Sequence, residues 1–209
     1  MMTSLVANRS ERRIQIASLI LAPTLFTVST FFWRDVAGRT EYGAWGGTLI
    51  ALGSVVWVPA LRALFDLVRP QMPRFAVWGW LAALYGLFGG FAFGLEGLFA
   101  DVFQLSHSVR QAAWSQFPTL FNLTFFWPGP LFPLSLVALA VVFLRTRVVP
   151  PWVAVLLALA GLAFPASRIP RLALVAHAAD RLMLLPLTYV AVNVIGQGAR
   201  GDRSASANA

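Results

Sequence analysis

From Ile14 to Ile195 the chain repeats one pattern, an apolar stretch of membrane-spanning length followed by a short connection that carries arginine. A helix needs about 20 mostly apolar residues to cross a hydrocarbon core about 30 Å thick. Stretches of that kind run from about Ile14 to Phe32, Ala44 to Leu67, Phe75 to Leu98, Pro151 to Ala166 and Leu172 to Ile195. From Gln111 to Leu144 no charged residue occurs. As one helix, that stretch would be about 51 Å long at about 1.5 Å per residue, too long for a single crossing. The prolines of Trp127-Pro128-Gly129-Pro130-Leu131-Phe132-Pro133 are the natural place for a break. Either a lateral or re-entrant segment at 114–127 precedes a span at 130–144, or the fourth span is discontinuous near mid-membrane; the first reading is preferred. Backbone groups in lipid must bond within their own segment. The predicted fold is therefore an all-α integral membrane bundle of about six transmembrane helices, with room for one extra re-entrant or interfacial helix before the fourth span.

Composition excludes a water-soluble reading. Hydrophobic residues make up 58% of the chain and charged residues 11%, against about 25% charged in ordinary soluble domains. The net charge of +8 does not point to nucleic acid. Its basic residues are all arginine and punctuate the spans rather than clustering on one face, so no nucleic-acid partner is expected. Cysteine is absent, which removes disulfides, thiol nucleophiles and thiolate metal sites. Arg9, Arg12 and Arg13 precede the first apolar run, but that run is long and no small-residue cleavage motif follows it, so it reads as an uncleaved first span. The expected organisation is a cytoplasmic segment over 1–13, a single six-span domain over 14–196 and a disordered cytoplasmic tail over 197–209. With the N-terminus inside, ten arginines (Arg9, Arg12, Arg13, Arg62, Arg69, Arg74, Arg145, Arg147, Arg200, Arg203) face the cytoplasm and five (Arg34, Arg39, Arg110, Arg168, Arg171) face outward. That bias predicts a multi-pass protein of the inner membrane with both termini cytoplasmic, although the last outer connection is unusually basic.

The polar residues inside this apolar background carry the functional reading. The sixth span holds His177, Asp180 and Arg181 within about a turn of one another. Counted from Leu172, His177 lies about 8 Å and Asp180 about 12 Å into the helix. Ionisable groups at such depth cost about 2.5–3.5 kcal/mol each and need partners or water. An Asp180–Arg181 pair that neutralises itself is the plain alternative to a functional cavity. Glu96, at the outer end of the third span, and Asn122, ahead of the proline cluster, complete the expected site. Glu96, Asn122, His177, Asp180 and Arg181 are predicted to line one ligand pocket open to the outer side, with Asp101, His107 and Arg110 in the neighbouring connection. Alone, Glu96 reads as an interfacial carboxylate. His107 and His177 are the available imidazole ligands, but no tight metal-ligand motif joins them to a carboxylate, so no metal site and no cofactor are expected. A haem between the two histidines has nothing further to support it. Two histidines also fall short of the three-histidine pattern of membrane ceramidase-like and progestin-receptor-like hydrolases.

Ala82, Gly86, Gly90 and Gly94 recur at four-residue spacing and share one helix face. Small residues so placed let another backbone approach closely, either within the chain or, as a partner prediction, from a second copy in a homodimer. Tryptophans near span ends fit interfacial belts in contact with membrane lipid. The preferred reading is a small-ligand binding or transport-type protein whose pocket takes a small polar or amphipathic ligand. The alternatives are an intramembrane enzyme using His177, Asp180 and Glu96 as acid–base or metal-binding groups, and a structural membrane subunit.

Overall fold

The computed structural model describes residues 9–36 and 39–196; the tail expected at 197–209 and residues 1–8 of the N-terminal segment lie outside them. Among the described residues six helices are long and apolar enough to cross a membrane: Arg9–Phe32, Gly43–Val68, Pro73–Val102, Pro118–Thr146, Pro151–Arg168 and Ala173–Ile195. The first consists of α1 (Arg9–Ser29) and a closing 3-10 turn, and is followed by α2 (Gly43–Val68) and α3 (Pro73–Val102). Arg9, Arg12 and Arg13, expected ahead of the helix, form its first turn. The connection at 33–42 contains a small antiparallel hairpin, β1 (Arg34–Val36) and β2 (Arg39–Glu41), with Arg34 opposite Glu41.

The fourth span differs from the preferred sequence reading. A separate ten-residue helix, α4 (His107–Gln116), ends at Phe117, whose φ of −130° and ψ of 59° break the helix immediately before Pro118. Proline disfavours the α conformation in the residue before it. The chain then runs as one helical rod through α5 (Pro118–Phe121), a π-helical segment at Asn122–Phe126 and α6 (Pro128–Thr146). The Pro-Gly-Pro cluster therefore does not separate a segment at 114–127 from the span. Wide π hydrogen bonds, such as Trp127 N–H to the Asn122 carbonyl at 2.8 Å, lead the rod into Pro128, which has no N–H to satisfy. The last two spans are α7 (Pro151–Arg168) and α8 (Ala173–Tyr189), the latter prolonged by π turns over 190–195.

The spans pack as a closed ring in the order α1, α2, α3, α6, α7, α8, with α8 returning to α1. Trp57, Leu61, Phe65, Leu139, Phe143 and Leu157 are fully or almost fully enclosed within it. Because successive helices alternate in direction, the end of α1, the hairpin, α4 and the α7–α8 turn gather at one end, here the hairpin end. The small-residue face of α3 is occupied by the chain's own helices. A Cβ built on Gly94 would lie 2.6 Å from the Gly47 carbonyl oxygen and 2.7 Å from the Ala51 nitrogen. One built on Gly86 would collide with the Phe132 backbone of α6. The stripe offered by the sequence for homodimerisation is thus the crossing point of α3 with α2 and α6.

Substituting Gly94→Leu is expected to force α2 from α3. The cost should reach the top of the roughly 1–3 kcal/mol typical of overpacked cores, because backbone atoms cannot rotate away. Gly90→Ala meets only the Ser54 hydroxyl at 3.2 Å and should stay within about 1 kcal/mol of the native protein. Unfolding in mixed micelles measures both.

Candidate functional site

Asp180 lies in the second turn of α8 and is 1% exposed. Its partner is Arg168, in the last turn of α7, and not the adjacent Arg181. One Arg168 terminal nitrogen donates to both carboxylate oxygens, at 2.9 and 3.0 Å. Neighbouring helix positions diverge by about 100°, so Arg181 points outward and is exposed. The connection that brings the pair together is a tight one. Leu172 N–H reaches back to the Ser167 carbonyl at 3.0 Å, and Arg171 takes a left-handed conformation with φ of 53°. The Arg168 guanidinium also stacks over Phe164 and Trp33, 4.7 and 5.2 Å from their ring centres. Aromatic faces and the carboxylate together replace the water the cation has lost.

The other predicted residues sit apart. His177 Nδ1 lies 2.8 Å from the Thr30 hydroxyl, with the Phe31 ring 4.2 Å away. Thr30 donates its one hydroxyl proton to the Thr27 carbonyl at 2.7 Å. Which of the two donates in the Thr30–His177 contact follows the imidazole tautomer. Glu96 joins a cluster with Arg110 of α4 and Glu41 of β2, and Arg110 donates to both carboxylates. All three side chains are largely buried, Arg110 being 6% exposed. Burial works against the Arg110 charge, but hydrogen bonds and charges from Glu96 and then Glu41 outweigh it and raise the guanidinium pKa above its ordinary value. Asn122 opens the π segment, half-buried. His107 opens α4. Asp101 accepts from the Ala44 N–H at 2.8 Å, capping α2, and pairs with Arg34. Among the described residues no three of His, Asp and Glu gather as a metal would require.

A cavity of about 550 Å³ is lined by none of the five residues predicted to form the pocket. It lies between the start of α6 and the end of α7. The π segment leans onto α3, where Phe125 packs edge-on against Phe93 at 5.1 Å and the Tyr85 hydroxyl donates to the Leu123 carbonyl at 2.6 Å. The first turns of α6 follow that lean, leaving a wedge beside α7. Phe26 and Phe132 form its deep wall, while Leu134 and Leu162 form its flank and are more than half exposed on the outside of the bundle. The charged residues of the lining are Arg168 and Arg171, both at the hairpin end, beside Tyr42. Asp180 is thus one contact behind the cavity, through Arg168. Sequence reasoning missed the two arginines as site residues, although the unusual basicity of their connection was the available signal. No protein family, no curated protein and no solved structure matches the chain, so its function has to be argued from this geometry.

Proposed function

We propose that the protein is a small-ligand binding or transport-type protein of the bacterial inner membrane that takes an amphipathic ligand from the bilayer through the wedge between α6 and α7. The observation that carries this reading is the cavity itself. Its 550 Å³ lies within the roughly 300–1,000 Å³ of small-molecule sites, and its walls are apolar apart from one polar end. Its flank lies among side chains that face outward from the bundle, so an apolar ligand need not cross water to enter. In the proposed orientation both termini are cytoplasmic and the hairpin end is outward, as the ten-to-five arginine bias favours. Glu96 and His177 serve there as parts of the hairpin-end scaffold, and Asp180 as the residue that holds Arg168 at the polar end.

Gly129 provides the test. It lines the cavity, and a Cβ built on it meets no atom within 4 Å. Gly129→Leu therefore places its side chain in open volume, and the gain from replacing a helical glycine is offset by the crowding that a Cβ meets in a helical residue just before Pro130. The variant should remain folded, melting within a few degrees of the native protein, yet lose labelling of α6 and α7 by a diazirine-bearing hexadecanol in phosphatidylcholine nanodiscs. Equal labelling of both proteins would remove the cavity from consideration.

A further inference from the structure

We infer that the cavity's ligand is a single-chain acyl amphiphile with an anionic headgroup, its carboxylate or phosphate received by Arg171 and Arg168 and its chain lying along the Phe26–Phe132 wall. This inference rests on the proposed binding function and adds the chemistry of the headgroup. The charge count at the polar end carries it. Arg168 is matched by Asp180 through one terminal nitrogen, and its other donates to the Ser167 hydroxyl at 3.4 Å. Arg171 has no carboxylate partner among the described residues. It donates to the Thr40 carbonyl at 2.6 Å and stacks on the Tyr42 ring, 5.1 Å from its centre. Two guanidinium groups and one carboxylate leave a single positive charge where the apolar cavity ends. An acyl chain with a cationic head would meet repulsion there, and a neutral head would leave the charge unanswered.

Arg171 is also held in place before any ligand arrives. The hairpin carbonyl and the tyrosine face fix its guanidinium, so little side-chain freedom is lost on binding. Arg168 is fixed in the same way by Asp180, Phe164 and Trp33. Both groups are planar donors of the geometry that suits carboxylate and phosphate oxygens. Asp180 is then a positioning residue that keeps Arg168 extended at the cavity rim.

Competition against the diazirine hexadecanol tracer in phosphatidylcholine nanodiscs tests this. Palmitate or lysophosphatidic acid should displace the tracer about tenfold better than hexadecanol itself, the ratio expected for one hydrogen bond to a charged group. The stronger of the two acids identifies the headgroup as carboxylate or phosphate. Arg171→Gln should erase the preference for acid over hexadecanol, and Arg171→Lys should keep part of it. Equal competition by acids and alcohol in the native protein, with tracer labelling still lost in Gly129→Leu, would overturn the anionic headgroup and leave the cavity reading intact. Labelling that no competitor displaces and Gly129→Leu does not reduce would overturn both. The native protein's preference for acid over alcohol decides the matter even if the Arg171 variants do not fold.

Discussion

Asp180→Ala is expected to destabilise the protein by about 3–5 kcal/mol, the usual cost of removing one partner from a buried ion pair. The substitution leaves the Arg168 guanidinium, whose side chain is 10% exposed, against Phe164 and Trp33 with no counter-charge. The vacated carboxylate position is poorly placed for water, because Asp180 is 1% exposed behind Arg168, so only the cavity side of the guanidinium can be hydrated. Most of the cost belongs to the stranded cation rather than to the lost contact. Asp180→Leu combined with Arg168→Met should therefore recover much of the stability, since apolar replacement of a whole buried pair is often close to neutral. Reversible unfolding in mixed micelles, run as a double-mutant cycle, measures the coupling. Additive single and double variants would show that the pair contributes nothing to holding α7 against α8.

Arg110→Met is expected to be at least as damaging, again about 3–5 kcal/mol or more, because it strands two carboxylates instead of one cation. Glu41 and Glu96 both accept from Arg110, which lies between them. In the native protein the raised Arg110 pKa means its contribution is complete below the ordinary guanidinium value and is lost only as pH rises through the higher folded value. The native cluster should thus be indifferent to pH across the working range. Arg110→Lys keeps a positive charge between Glu41 and Glu96 and should lose less than Arg110→Met, although it gives up the forked geometry that reaches both carboxylates. Melting in mixed micelles compares the two variants, and equal losses would mean that the two carboxylates do not depend on the cation between them.

What was legible in the sequence follows from which rules act locally. Span lengths and arginine punctuation are local, and they locate all six long apolar helices to within a few residues at most ends. The proline cluster was misread because a rule about helix interiors was applied to it alone. The rule that bears on the break concerns Phe117, the residue before Pro118, and it could have been applied at the outset. The hairpin escaped notice because strands of three residues carry no periodicity worth reading. The burial of Asp180 was legible from its depth, whereas its partner was not. Arg168 reaches it across a turn whose geometry depends on the left-handed Arg171, and no spacing rule contains that. The cavity is the least legible feature. It arises from the lean of a π-helical segment toward α3, and its key arginines had been counted as topology signals.

The polar contacts of the hairpin end join residues far apart in the chain. Arg34 and Asp101 are separated by 67 positions, Glu41 and Arg110 by 69, Thr40 and Arg171 by 131, and Thr30 and His177 by 147. A ribosome delivers the N-terminal part first. The two shorter closures become available once α4 has emerged, and they can seal the first three helices into a unit early in biogenesis. The two longer ones must wait for the last helix to leave the translocon. Until then the carbonyl of Thr40 and the hydroxyl of Thr30 lack their final partners, and neither Arg168 nor Arg171 is in place at the polar end of the cavity. The wedge that would hold a ligand is therefore completed by the last helical hairpin to be synthesised.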